Sequence, residues 1–468
     1  MTLIKSISGI RGTIGGKPGE GLSPVDVVKF TSAFATWVRR RNSEGRITVV
    51  LGRDARISGE LCRNLVVGTL QGMGMDVIDL GLSTTPTVEM AVTMENAQAG
   101  IILTASHNPK QWNALKLLNE RGEFISSSDG EMVLSIAEAE DFEYADVNQL
   151  GRHLVMDGYI QKHIERILQL PLVDRDAIAK ANFRVAVDAV NSTGGIAVPM
   201  LLRALGVEHV TELYCTPDGK FPHNPEPLPE HLRDLSETVI KQKAHLGISV
   251  DPDVDRLALV CEDGEMFGEE YTLVAVADYI LKHTPGNTVS NLSSTRALRE
   301  VTEKRGGSYS ASAVGEVNVV EQMKATQAVI GGEGNGGVIY PELHYGRDAL
   351  AGIALFLTHL AHYGKSVSML RASYPNFFIS KNKVELTPEI NVDEVLRRVQ
   401  EKYRKQPMNT IDGVKIEFDK NWVHLRRSNT EPIIRIYSEA ENIATADNLA
   451  NKIITDIKEF TSEMMLNS

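Results

Sequence analysis

In three successive blocks of this chain, short aliphatic, β-rich runs end in a glycine or acidic turn and give way to helix-patterned stretches. Ile47–Leu51 ends in Gly52-Arg53-Asp54, Val77–Leu80 in Gly81, and Gly100–Leu103 in a turn at Thr104. Val185-Ala186-Val187 leads into Asp188 and the Gly194-Gly195 turn, and Leu246–Val250 ends in aspartates. Thr288–Leu292 and Ala328-Val329-Ile330 form the third block. Strands alternating with helices fold as βα units on mixed, mostly parallel sheets. A chain of 468 residues is too long for one ordinary core. The expected architecture is three similar α/β domains, residues 1–150, 151–252 and 253–371. The pattern changes near Tyr374-Pro375-Asn376, so a smaller α+β domain is expected over 372–468, with strands at Trp422–Leu425 and Ile433–Tyr437 and a closing helix.

A formal net charge of −12 argues against generic nucleic-acid binding, so any phosphate must be held by a local basic cluster. Cys62, Cys215 and Cys261 lie far apart and build neither a zinc spacing nor a disulfide framework. A reducing, cytoplasmic setting is the expectation. The opening Met-Thr-Leu-Ile-Lys does not read as a signal peptide, and no apolar run reaches the ~18 residues of a membrane span.

Four loops carry chemistry. Thr104-Ala105-Ser106-His107-Asn108-Pro109 follows a buried-type strand, where α/β sheets place ligand loops. Serine, asparagine and proline are also ordinary turn residues, so a turn and a nucleophile both stay open on this run alone. Ser106 and His107 are not a hydrolase pair, because neighbours on an extended segment face apart. A phosphate-carrying serine needs nearby cations, and Lys110 and Lys116 follow closely. Asp251-Pro252-Asp253-Val254-Asp255-Arg256 lies between two apolar strands. Alternate residues of an extended segment share a face, so three carboxylates are expected to converge. Such a cluster needs a cation, and carboxylate oxygens suit magnesium. A solvated acidic turn is the plain alternative. An EF-hand loop would put Glu262 in its twelfth place, but Arg256 stands where its sharp turn needs glycine. A haloacid-dehalogenase-type phosphatase would make Asp251 the nucleophile and leave Ser106 unexplained.

Gly331-Gly332-Glu333-Gly334-Asn335-Gly336-Gly337 satisfies a dinucleotide pattern, yet strand-like Val338-Ile339-Tyr340 follows, so no helix N-terminus meets a pyrophosphate. Glu333 and Asn335 instead offer acceptors and donors for sugar hydroxyls; a plain hairpin is the alternative. Arg426-Arg427-Ser428-Asn429-Thr430-Glu431-Pro432, with Arg435 beyond, joins guanidinium forks to hydroxyl donors and reads as a phosphate cradle rather than a solvated face.

Together, and in this order, the loops resemble the α-D-phosphohexomutase family of phosphoglucomutases, phosphomannomutases and phosphoglucosamine mutases. The resemblance begins at Ser8-Gly9-Ile10-Arg11-Gly12 and covers nearly the whole chain. It implies four domains around a central cleft and an intramolecular phosphotransferase. Ser106 is then the phosphoserine. Asp251, Asp253 and Asp255 bind one Mg2+ with a phosphate oxygen of Ser106 as a further ligand. Arg11, His107, Lys116 and Arg256 surround the transferring phosphoryl group. Glu333 and Asn335 hold sugar hydroxyls, and Arg426, Ser428, Asn429, Thr430 and Arg435 grip the phosphate that is not reacting. A hexose 1,6-bisphosphate is the expected activator. Asn113-Ala114, Arg427 and Gly334-Asn335-Gly336 depart from common versions of the motifs, none of them removing a charge the chemistry needs.

Phosphoserine brings about −2 and three aspartates −3, magnesium returns +2, and Arg11, Lys116 and Arg256 offset the rest. The expected reaction interconverts 6- and 1-phosphates of a hexose through a bisphosphate, with His107 or Lys116 moving the proton. Glucosamine phosphate is the expected substrate, because Asn335 in a roomy glycine loop suits an amino group. Phosphomannomutase or phosphoglucomutase activity is the alternative, carried by Pro217-Asp218-Gly219-Lys220-Phe221-Pro222. A sugar phosphatase and a non-catalytic sugar-phosphate sensor are the rivals from other classes.

Overall fold

A computed structural model describes residues 2–6, 9–42, 45–387, 390–427 and 433–466. Four sheets follow one another along the chain. The first holds β1 (Ile4–Ser6), β2 (Gly9–Thr13), β3 (Thr48–Arg53), β4 (Asp76–Leu82), β5 (Ala99–Leu103), β6 (Trp112–Leu118) and β7 (His153–Val155), in the order β1-β2-β6-β5-β3-β4-β7. Strands β5, β3, β4 and β7 run parallel, and β6, β2 and β1 are added antiparallel. The second sheet, β11-β10-β8-β9, is built from β8 (Arg184–Asp188), β9 (His209–Leu213), β10 (Leu246–Val250) and β11 (Leu257–Cys261). The third, β13-β12-β14-β15, is built from β12 (Thr288–Asn291), β13 (Tyr309–Ser312), β14 (Ile330–Glu333) and β15 (Gly337–Ile339). Each has a parallel centre and one antiparallel edge hairpin, β10–β11 or β14–β15. The fourth is wholly antiparallel: β16 (Phe378–Glu385), β17 (Met408–Asn409), β18 (Val414–Glu417), β19 (Trp422–Arg427) and β20 (Ile433–Ala440), ordered β16-β20-β19-β18-β17.

Two strand pairings move the expected domain limits. β7 pairs with β4, so the first sheet runs past residue 150. β11 pairs with β10 from Leu246↔Cys261 to Val250↔Leu257, so the aspartate run is a hairpin loop inside the second sheet. A limit at 252 would cut that hairpin, leaving β11 without its backbone partners.

Local signals start the helices. Pro24–Arg41 opens with Ser23 and Asp26 in a reciprocal capping box, has proline in its first turn, and ends in Arg39, Arg40 and Arg41, which suit the negative end of the helix. Helix Ala349–Tyr363 is apolar nearly all round and is buried from Ala349 through Leu360. It packs in a single hydrophobic core shared by the second and third units, from Ile160 and Val187 through Leu273 to Leu355 and Leu370. The first and fourth units have cores of their own, the fourth under helices Val392–Lys402 and Ile443–Leu466. No described helix is long and apolar enough to cross a membrane.

Candidate active site

The serine loop leaves β5 in the left-handed region. Ser106 has φ +48°, a conformation a non-glycine residue adopts only when its surroundings fix it. Its amide donates to Thr104 Oγ1 at 2.9 Å, and its Oγ donates to Asp251 Oδ2 at 2.7 Å. What holds the loop is Arg56, fully buried in the turn after β3. Its guanidinium donates to the carbonyls of Ser106, Asn108, Pro109 and Trp112, while Nε meets Asp54 at 3.0 Å. One planar fork thus fixes four carbonyls of one loop, which a lysine's point charge cannot do.

Asp251, Asp253 and Asp255 are all 0% exposed, and one oxygen of each lies within 4.8 Å of the others. The convergence was expected from extended-strand alternation, but the segment turns: Val254 has φ +65° and its amide donates to Asp251 O at 3.1 Å. Asp251 Oδ1 accepts the amides of Asp255 and Arg256 at 3.2 and 3.1 Å, so the carboxylate folds the loop back on itself. The Pro252 carbonyl accepts from the Ser192 and Thr193 hydroxyls at 2.7 and 2.8 Å, and the first unit meets Asp253 through the Thr85 hydroxyl at 2.6 Å. The carboxyl groups are of unequal acidity. Burial, then Asp255 and Asp253, push Asp251 well up; for Asp255 burial is outweighed by Arg347, Lys116 and Arg256, which bring it down. Oδ1 of Asp253 and of Asp255 are buried with no hydrogen-bond partner among the described residues. Two orphaned hard oxygens beside a third carboxylate fit a divalent cation such as magnesium.

Cations ring this centre. Lys116 on β6 donates to Asp253 Oδ2 at 2.7 Å and Asp255 Oδ2 at 3.4 Å. Burial alone would lower its pKa, but the two aspartates outweigh burial and raise it, so the ammonium keeps its proton. Arg11 on β2 is brought down by burial and by the Arg256 charge beside it. Arg256 reaches Glu226 at 3.3 Å, and its Nε is buried without a partner among the described residues. His107 lies half-buried with Nδ1 unpaired among those residues; burial, then Arg256, hold its pKa well below the usual range.

The glycine loop between β14 and β15 docks on the aspartate hairpin, where Leu257 N donates to Gly336 O at 3.1 Å. Gly336 has φ +85°, and a Cβ there would sit 2.3 Å from the Leu257 carbonyl, so only glycine fits. Glu333 is buried, with Oε1 accepting from Asn291 Nδ2 at 2.8 Å and Gly315 N at 3.1 Å. Asn335 Oδ1 accepts from Gly337 N at 3.2 Å, so its oxygen is occupied in the turn and its amide protons remain. Arg347 joins the two loops: Nη1 meets Glu333 at 2.9 Å, Nη2 meets Asp255 at 2.6 Å, and Nε meets Glu316 at 3.0 Å.

In the fourth unit Arg426 and Arg435 are directly paired across β19 and β20, and Lys383 pairs with Arg435 from β16. Three cations in a row across adjacent strands repel unless an anion lies on them. Arg426 Nε is 2.8 Å from Asp412, whose Oδ2 also accepts from Val314 N at 3.0 Å, next to the Gly315 that holds Glu333. Arg426 is thereby tied to the loop that holds Glu333. Ser428, Asn429 and Thr430 lie outside the described residues.

Family models for the phosphoglucomutase/phosphomannomutase alpha/beta/alpha domains I, II and III match residues 3–144, 159–264 and 268–377, and the model for the C-terminal domain matches 383–455. The chain belongs to the phosphoglucomutase/phosphomannomutase family. It is 36% identical to a phosphoglucomutase/phosphomannomutase of Thermococcus kodakarensis, over 92% of this chain and 94% of that protein. It is 34% identical to a probable phosphoglucosamine mutase of Methanopyrus kandleri, over 98% of each. In three dimensions it matches a phosphoglucomutase/phosphomannomutase family protein of Burkholderia thailandensis with TM-score 0.83 and 26% identity, covering 98% of each chain.

Membership of the phosphoglucomutase/phosphomannomutase family accords with the isomerase reading and with four domains. Within this site Ser106, the three aspartates and Lys116 meet directly, and Glu333 reaches them through Arg347. Arg56, Arg347 and Lys383 were not singled out from sequence. Arg56 follows the Gly52-Arg53-Asp54 turn, a signal that marked the strand end but not the clamp.

Proposed function

We propose that this chain interconverts the 6- and 1-phosphates of glucosamine, with Ser106 as the phosphate carrier and a hexose bisphosphate as intermediate and activator. The observation that carries the reading is Ser106 Oγ at 2.7 Å from Asp251, inside a buried aspartate trio and beside Lys116. Asp251, Asp253 and Asp255 would hold one magnesium ion, with a phosphate oxygen of Ser106 completing the set. Magnesium there supplies Lewis-acid stabilisation of a phosphoryl oxygen. In the forward step the Ser106 Oγ–P bond breaks, a bond forms from phosphorus to the free hydroxyl of the sugar phosphate, and that hydroxyl's proton passes to a nearby base. The bisphosphate turns over and returns its other phosphoryl group to Ser106. Lys116, Arg11 and Arg256 offset the charge on the equatorial oxygens. His107, with Nδ1 unpaired among the described residues, is placed to take the proton, while Lys116, kept charged by its two aspartates, stays a cation beside the transferring group. Arg426, Arg435 and Lys383 hold the second phosphate, a feature a simple phosphatase has no need of.

A neutral hexose is the second reading, favoured by one contact. Asn335 turns its oxygen into its own loop, so it offers donors, which suit a hydroxyl better than an ammonium. The deciding experiment compares kcat/KM for glucosamine 6-phosphate with mannose and glucose phosphates, each primed with bisphosphate. A preference of about tenfold for either neutral sugar, about 1.4 kcal/mol, overturns glucosamine. Intact mass should show phosphate on Ser106; full turnover by Ser106→Ala, or free phosphate as the main product, overturns the mutase mechanism.

A further inference from the structure

Behind the aspartate loop, where the first three units meet, lies a second cluster of metal-ligating side chains. His163 comes from helix Tyr159–Leu168, His344 from the loop after β15, and Asp348 caps helix Ala349–Tyr363. Their side chains are 1%, 13% and 2% exposed. Asp348 spends Oδ1 on the helix, accepting from Leu350 N at 2.8 Å and Ala351 N at 3.1 Å. Its Oδ2 faces both imidazoles, His163 Nε2 at 2.8 Å and His344 Nε2 at 3.1 Å. The rings stand nearly perpendicular, 86° apart, and both Nε2 atoms meet Asp348 Oδ2.

The far side of each ring is furnished as well. His163 Nδ1 lies 2.9 Å from Thr87 Oγ1, and that hydroxyl is 2.7 Å from Thr84 Oγ1. His344 Nδ1 lies 3.4 Å from Glu89 Oε2. Glu89 is 2% exposed, and neither of its oxygens, nor His344 Nδ1, has a hydrogen-bond partner among the described residues. Gly346 makes room for this carboxylate: a Cβ there would sit 1.9 Å from Glu89 Oε2.

Counting protons separates two readings. If both Nε2 atoms carry hydrogen and donate to Asp348, His344 Nδ1 points a lone pair at a buried carboxylate, and an additional proton must be placed between them. If both Nε2 atoms instead bind a cation, both Nδ1 atoms carry hydrogen. His163 then donates to Thr87, which donates to Thr84, and His344 donates to Glu89. Each imidazole nitrogen then has a use, and Glu89 Oε1 alone in the cluster stays without a partner among the described residues, in the carboxylate–histidine–metal arrangement of known metal sites. We propose that His163, His344 and Asp348 form a second metal site, separate from the aspartate loop, for a divalent ion of the zinc class, with Glu89 and Thr87 orienting the histidines. Two imidazoles and one carboxylate select zinc or cobalt over magnesium, which prefers oxygen alone. Tetrahedral zinc at about 2.0–2.1 Å from each donor sets donors roughly 3.3 Å apart, a small expansion from the distances seen. The ion would staple the second and third units and reach the first through Glu89 and Thr87.

The test uses full-length, tag-free protein, stripped with chelator and titrated with cobalt(II) in excess magnesium. Expected are one tightly held cobalt per chain with visible d–d absorption and a raised Tm, since a ligand of the folded state alone stabilises it. Asp253→Asn should keep this cobalt; Thr87→Val should weaken it roughly tenfold through the loss of one orienting partner. Absence of a stoichiometric cobalt spectrum in the wild type overturns the site. So does loss of the cobalt in Asp253→Asn, which would place the ion in the aspartate loop. Neither outcome depends on a histidine variant that folds.

Discussion

Asp253 shows how much single atoms decide here. Its Oδ2 accepts from Lys116 and Thr85, while Oδ1 is buried without a partner among the described residues. Asp253→Asn keeps the shape and removes one charge from a trio of like charges, so folding should survive. Turnover should fall by at least about a hundredfold, about 2.7 kcal/mol of transition-state stabilisation. The check is kcat with bisphosphate primer beside a thermal melt; undiminished turnover in the variant, or in chelated buffer, removes the metal from the mechanism. The serine and the aspartates were readable from residue type and spacing. The inward turn at Val254 was not, because a β-branched residue with φ +65° contradicts its local preference and is imposed by tertiary packing.

Among the elements, the loop after β5 and the strand pair β19–β20 each meet a cation from outside the obvious motif, Arg56 at the first and Lys383 at the second. Arg56 offers its fork to five acceptors, the Asp54 carboxylate and four carbonyls. Lysine has three donors for these five acceptors, so Arg56→Lys loses at least two charge-assisted hydrogen bonds, at about 1.5–3 kcal/mol each. The expected result is a lowered Tm with kcat falling more than KM rises, because the variant misplaces Ser106 rather than the sugar sites. An unchanged kcat in folded Arg56→Lys refutes the clamp. Arg435 stands between Arg426 and Lys383, so Arg435→Ala should relieve repulsion in the free enzyme and leave its Tm equal or higher. The same change should weaken sugar-phosphate binding at least tenfold, or about 1.4 kcal/mol, measured by calorimetry; equal affinity puts the second phosphate elsewhere.

Across the whole molecule, the fourth unit is clasped to the third by polar contacts. Arg299 forks onto Glu417 at 3.0 and 2.8 Å, Ser293 Oγ is 2.9 Å from His424 Nδ1, and Lys415 Nζ donates to the Leu292 carbonyl at 2.9 Å. Burial pushes the Lys415 ammonium down to about 8, while in the unfolded chain lysine titrates at about 10.4. Between those values the unfolded state binds more protons, so this residue's contribution to stability rises with pH from 8 to 10. Wild type should therefore gain Tm over that window relative to Lys415→Met, which lacks the titration. A constant Tm difference from pH 7 to 10 contradicts a buried, depressed lysine at the clasp.

Sequence by itself determined the alternation of strands and helices and the four-unit division, and it marked the serine, aspartate and glycine loops as candidates, because each is written in contiguous residues whose spacing sets local geometry. The hairpin membership of β11 was not legible: an aspartate turn after a strand looks the same whether the next strand returns to the sheet or starts a new one. Arg347, ninety-two positions from Asp255, and Arg56, fifty from Ser106, carried no local signal for their partners. A guanidinium's role depends on which carboxylates and carbonyls packing brings within about 3 Å of it. The units close their cores largely through apolar pattern, but the distances between their loops are set only when those cores dock. Tertiary structure alone therefore decided how Ser106, the three aspartates and Glu333 share one charge network.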